Sequence, residues 1–335
     1  MKERNKMKRQ VTRREFIGSA AAVAACTMMP GYVLGQRTSK PNSNFNGVQI
    51  GAITYSFRSI PSSADDILGY LVKCGLSSCE MMYGPVEQFA GAPSGQGGAP
   101  RGQGGAQQRT PQTEEQKTKM KAAREAQAKE LAKWRASPPW EKFKELRKKY
   151  EDAGVKINII KYDQLGSMSD VELDYAFNAC RTLGAKGITV ELSEETAKRV
   201  APFADKHKLF VAFHNHTQVN SQSFDTPLSY SKFLAMNFDV GHYLAGTDES
   251  PIPIIQKYSK RILSLHLKDR KSKQNGGDNL PWGQGDTPIK EILQLMKKEK
   301  YPFTADIEYE YKTPEGSDVL TEIAKCVKYC KDALA

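Results

Sequence analysis

The chain has 335 residues, 39% of them hydrophobic and 26% charged, and a formal net charge of +11. That charge is uneven: residues 1–40 carry +7 and residues 91–140 carry +5, which leaves −1 for the remainder. A near-neutral body weakens any claim of a basic groove that tracks phosphates, so no nucleic-acid partner is expected. Cys26 lies in the leader, and Cys74, Cys79, Cys180, Cys326 and Cys330 have neither disulfide-framework nor zinc-finger spacing. The five read as buried thiols.

In chain order, the leader comes first. Lys2, Arg4, Lys6, Lys8 and Arg9 precede Arg13-Arg14-Glu15-Phe16-Ile17, and an Ala-rich apolar run follows to about Val33. Basic, apolar and small residues in this order describe a secretory signal over residues 1–35, and the paired arginines resemble a twin-arginine signal. An exported, periplasmic protein is the expectation. The run is short and broken by Pro30-Gly31, which argues against a transmembrane anchor. Val23-Ala24-Ala25-Cys26 resembles a lipobox, so a membrane is expected as a partner only through a lipid on Cys26.

From residue 46 onward short apolar or β-branched runs alternate with amphipathic stretches. Strands are predicted at 48–54, 77–82, 155–161, 187–191, 209–214, 235–240, 262–267 and 303–309. Helices are predicted at 63–74, 139–153, 168–183, 193–206, 287–299 and 317–333, with Ser169 and Ser193 as helix starts. Eight such units predict an α/β protein with a parallel sheet, a (β/α)8 TIM barrel in a single domain over 46–335. No G-x-G-x-x-G follows the first strand, which counts against a dinucleotide fold. Residues 91–137 interrupt the barrel after strand 2: 91–113 is Gly/Gln/Pro-rich and reads as disordered, and 114–135 reads as a solvated surface helix.

Four of the five histidines fall at or just beyond predicted strand ends: His214 and His216 in FHNH, His242 in FDVGH and His266 in SLHLKD. Glu191, Asp239, Glu308 and Glu310 stand in similar contexts. Strand C-termini converge on one mouth of a (β/α)8 barrel, so residues far apart in sequence can meet there. A mixed N/O shell suits one divalent ion of Mn, Co, Zn or Mg and argues against a thiolate site. Glu80, Tyr55, Lys161, His214, Asn215, His216 and Lys268 are candidates for the polar lining and substrate contacts. His207, in DKHK, reads as solvated.

FDVGH, HLKD followed by Trp282-Gly-Gln-Gly-Asp286, and a last strand ending IEYE are similar to the xylose isomerase-like TIM-barrel superfamily, nearest its sugar phosphate isomerase/epimerase branch. The resemblance spans nearly the whole mature chain outside 91–137. It implies a divalent metal held by Glu191, Asp239, His266 and Glu308, with His242 beside the substrate and Glu310 the rival to Glu308. Ser272 stands where some ketose epimerases carry an arginine, so sugar contacts do not transfer. The implied chemistry is removal of a proton next to a sugar carbonyl, with Glu191 and Glu308 as bases and an enediolate between them. Epimerisation, aldose–ketose isomerisation and elimination from a 3-keto-glycoside all start this way. Export favours an unphosphorylated sugar or keto-sugar.

Overall fold

The computed structural model describes residues 40–93 and 113–335. The expected export leader, Cys26 and most of the Gly/Gln/Pro-rich stretch lie outside them. Eight parallel strands form a closed barrel: β2 (Val48–Ile53), β3 (Ser78–Met82), β4 (Lys156–Lys161), β5 (Gly187–Glu191), β6 (Phe210–His214), β7 (Leu234–Asp239), β8 (Ile262–Leu267) and β9 (Thr304–Ile307). Each pairs with the next, and Gly51 opposite Asp306 closes β2 on β9. A short β1 (Asn44–Phe45) turns back antiparallel on β2, so ordered structure begins slightly before residue 46. The eight predicted strands are all present, within one or two residues at their ends. The largest difference is at β9, which stops at Ile307, two residues early, and leaves Glu308 and Glu310 just beyond it.

The helices are α1 (Ala64–Cys74), α2 (Tyr83–Phe89), α3 (Glu114–Ala136), α4 (Trp140–Asp152), α5 (Asp170–Thr182), α6 (Glu194–His207), α7 (Asp225–Ser229), α8 (Val240–Thr247), α9 (Ile252–Tyr258), α10 (Ile289–Glu299) and α11 (Val319–Ala333). Ser63 and Ser169 close capping boxes with Asp66 and Glu172, and Ser193 caps α6, each such cap contributing about 1 kcal/mol. The apolar faces of these helices pack on the outward side chains of the strands, as in Leu71, Leu146, Phe177 and Ile292 against Ile50, Ile188 and Phe213. Ile159, Ala212, Ala235 and Leu263 form a separate apolar cluster. These four belong to β4, β6, β7 and β8 and fill the barrel interior, so it is a packed core rather than a channel. No helix of the described residues is long and apolar enough to cross a membrane.

Two expectations need correction. His207 is not solvated: it stacks on Phe177 with ring centroids 4.8 Å apart and bonds Asp174 at 2.7 Å. The surface helix α3 is exposed for most of its length, but one residue of its last turn is buried. Arg135 is only 4% exposed, sends Nε and Nη2 to the two oxygens of Glu87 at 2.9 and 3.1 Å, and sends Nη1 to Glu172 at 3.0 Å. The inserted segment is thereby fastened to α2 and α5. All five described cysteines are free and buried, as expected.

Candidate active site

Alternation along each strand stacks inward side chains in tiers above the apolar cluster. Thr189, Asn237 and Ser264 form a middle tier around Glu80, which is fully buried on β3. Asn237 joins it together: its amide donates to Glu80 Oε2 at 2.9 Å and its carbonyl oxygen meets His214 Nδ1, also at 2.9 Å. Sequence reading missed Asn237. Its signal was present, since it stands two residues before Asp239 on the same face of β7.

The upper tier carries the charges. His266, fully buried, meets Glu80 from Nε2 and Glu308 from Nδ1, both at 2.8 Å. Burial pushes its pKa down, but the two carboxylates outweigh that and raise it well above 6.5. Burial likewise pushes Glu308 up, while Lys268 and His266 hold it well below 4.5. Lys268 is 2% exposed, with Nζ 2.6 Å from Glu310, 2.9 Å from Glu308, 3.1 Å from Asp239 Oδ2 and 3.0 Å from His242 Nε2. Gly241 makes room for it: a Cβ there would lie 2.5 Å from Lys268 Cγ and 2.7 Å from its carbonyl oxygen. His242 stands in the first turn of α8 rather than on the strand, and its backbone N–H donates to Asp239 Oδ1 at 2.6 Å. Burial, then the Lys268 charge, lowers its pKa to about 2.

At the rim, Glu191 is about two-fifths exposed. It meets Lys161 Nζ at 2.5 Å through Oε1 and His216 Nε2 at 2.9 Å through Oε2. Burial alone would raise its pKa; His216 and Lys161 reverse that and keep it below 4.5. The imidazoles connect rim to interior, with ring centroids 5.1 Å apart for His214–His216 and 4.7 Å for both His216–His242 and His214–His266. Tyr55 stands apart in a turn under the Arg58 guanidinium, 4.4 Å from its ring, and Asn215 braces the backbone of Asp239. Asp269 organises the loop after β8: it accepts from the N–H groups of Gly283 and Gly285 at 2.8 and 2.9 Å. That explains HLKD followed by WGQGD as architecture.

One ligand atom from each of His214, Asp239, His266 and Glu308 lies within 4.8 Å of the others. Asp239 Oδ2 is buried with no aligned hydrogen bond, although Lys268 Nζ is near it. Two imidazoles, two carboxylates and that unsatisfied oxygen fit a divalent cation of the Mn, Co, Zn or Mg type. The cluster includes His214, while Glu191 is engaged with Lys161 and His216. Glu310 is likewise turned to Lys268.

Residues 184–330 match the family model of the xylose isomerase-like TIM barrel. No curated protein matches the chain. Solved structures align along almost their full length. The probable 3-DHS dehydratase AsbF of Bacillus anthracis, involved in petrobactin synthesis, is 14% identical with a TM-score of 0.57, covering 84% of this chain and 99% of that one. A sugar phosphate isomerase/epimerase from Parabacteroides distasonis is 15% identical at TM-score 0.54, covering 88% and 97%. The 3-keto-D-glucoside 4-epimerase YcjR of E. coli is 11% identical at TM-score 0.53, covering 84% and 100%. At these identities the likeness is one of fold.

Proposed function

We propose that the barrel is a sugar isomerase or epimerase that removes a proton next to the carbonyl of an unphosphorylated sugar or keto-sugar. The observation that carries this reading is a half-exposed, ionised Glu191 at the rim beside a buried cluster of imidazoles, carboxylates and one ammonium group. A general base needs exposure to substrate and a proton-free state at neutral pH, and Glu191 has both. Its carboxylate takes the proton, the C–H electron pair moves toward the carbonyl oxygen, and an enediolate results. Lys268 and the N–H groups of the imidazoles offset that charge in a site that excludes water. A divalent ion bound by His214, Asp239, His266 and Glu308, or by Glu191 in place of His214, would supply Lewis-acid stabilisation of the same oxygen. Delivery of a different proton to the opposite face, passed through Glu308 from the protonated His266 bonded to it while Glu191 keeps the one it took, gives epimerisation, and return by Glu191 to the neighbouring carbon gives isomerisation. Where a leaving group stands β to the carbanion, expulsion gives a lyase instead. The chain's leader supports action outside the cytoplasm, where unphosphorylated sugars are the available substrates.

The test is deuterium uptake from D₂O into ketoses and 3-keto-glucosides, followed by NMR with divalent metal and with chelator. Uptake beside the carbonyl is expected, and the products separate isomerase, epimerase and lyase. Glu191→Gln is expected to lower the uptake rate by about 10²–10⁴-fold while the fold persists. Uptake at the parent rate in that variant overturns the role of Glu191. No uptake across the panel overturns the enolisation reading.

A further inference from the structure

The end of the barrel opposite the mouth has its own charge pattern. Of six consecutive strands, β4 to β9, the first opens on a lysine, Lys156, and each of the other five is entered from a short connection that carries one: Lys186, Lys208, Lys232, Lys260 and Lys300. Arg261 adds a seventh cation, and none of the six connections contains Asp or Glu. All six lysines are exposed, and among the described residues none forms an ion pair. Of the acidic residues near this end, Glu151 pairs with Arg147, Asp152 with Lys148 and Glu299 with Lys298, at 2.8, 2.7 and 3.7 Å, while Asp205 accepts a hydrogen bond from the Ser231 hydroxyl at 2.6 Å. Helix C-termini, each worth about half a negative charge, attract cations to this end but do not balance seven of them. A cavity of about 260 Å³ opens on the same face, lined by Lys186, Lys260 and Arg261 beside Phe210, Pro302 and Phe303. Phe210 is one of three exposed large hydrophobic side chains among the described residues, at 37%.

The chain also enters the barrel here. Lys40 packs against Gly154 in the connection before β4, where a Cβ on the glycine would lie 2.7 Å from Lys40 Cβ. The preceding residues include the apolar run 17–33 with Cys26. We infer that the basic base of the barrel docks on an anionic lipid surface, with the catalytic mouth turned away from it. Lysine ammonium groups meet phosphate headgroups, and exposed Phe210 enters the boundary between headgroups and acyl chains. A phospholipid surface suits this face better than a nucleic acid, because the cations ring an apolar hollow rather than line a groove.

The experiment is co-sedimentation of the full chain with vesicles of phosphatidylcholine alone, or with about one third phosphatidylglycerol. A variant with all six lysines changed to Gln is compared with a control in which Lys119, Lys121, Arg124, Lys129 and Lys133 of α3 are changed to Gln. Both keep the same leader, so the leader's own affinity cancels. Parent and control are expected to bind the anionic vesicles and to release at high salt, with the base variant at least about 100-fold weaker. Three results would overturn the inference: a base variant that binds like the parent, equal binding to both vesicle types, or tighter binding to duplex DNA than to anionic vesicles.

Discussion

The two ends of this barrel handle charge in opposite ways. At the mouth, Glu80, Asp239, His266, Lys268 and Glu308 are buried and lean on one another. At the base, six lysines are exposed and, among the described residues, form no ion pair. A buried charge has lost its water, so its neighbours must replace that solvation, and removing one strands the rest. An exposed charge keeps its water and is energetically independent. The mouth is therefore a single cooperative unit suited to chemistry, and the base is a sum of separate groups suited to attraction over distance.

The sharpest way to break this contrast is Lys268→Met. It leaves Asp239, Glu308 and Glu310 without their shared cation, and it is expected to cost roughly 3–5 kcal/mol of stability. Thermal unfolding in chelator reads this loss, and added Mn²⁺ is expected to restore part of it by supplying positive charge to the same carboxylates. Lys232→Met at the base is expected to change stability by no more than about 0.5 kcal/mol. Equal losses at the two sites would remove the distinction. The insertion holds a smaller version of the same contrast along one helix. Arg135→Met abandons Glu87 in a buried setting and is expected to cost roughly 3 kcal/mol, whereas Arg124→Met on exposed α3 costs within about 0.5 kcal/mol. Urea unfolding of the two variants side by side reads the difference.

Much of the mouth was legible because strand residues announce themselves by position. FHNH, FDVGH and HLKD place His214, Asp239 and His266 at strand ends, and a period of two then fixes their shared side. What the sequence could not supply was choice among near-equivalent groups. Glu191 and His214 are one strand apart, and only packing shows that Glu191 engages Lys161 and His216 while His214 joins the buried cluster. Lys268 is named for the lining in sequence, but nothing there shows that it is buried; Gly241, by lacking a Cβ, is what lets it lie inside. Arg135 was hidden by its helix, which has no apolar stripe to mark a buried side, and only the fold brings the guanidinium against Glu87, Tyr83 and Tyr175. The base escaped notice for another reason. Its lysines run from residue 156 to residue 300, and net charge counted along the chain reads near zero because carboxylates throughout the body cancel them. Only the closure of the barrel gathers them at one end.

A further expected effect is on pH dependence, and it tests whether burial alone sets the sign. His214 is held well below 6.5, by burial first and then by Lys161 and His266, and His242 is lowered to about 2. Below pH 6.5 the unfolded chain binds protons at these positions and the fold does not. Stability is therefore full above 6.5 and falls as pH drops from there toward about 2. His216 behaves oppositely: its bond to Glu191 raises its pKa despite partial burial, so its contribution is full below 6.5 and is lost as pH rises through the raised value. His242→Gln is expected to flatten the acid slope of stability by up to about 1.4 kcal/mol per pH unit. His216→Gln shifts it the other way, by less, because the side chain is half exposed and its ion pair is screened. Urea midpoints across the acid range read both slopes, and a base variant with Lys208, Lys232, Lys260 and Lys300 changed to Gln serves as the reference. Those four lysines stand at the opposite end of the barrel from both histidines, so its slope should match the parent. A base variant with an altered acid slope would mean that the two ends are electrostatically coupled through the barrel, against the independence argued for them.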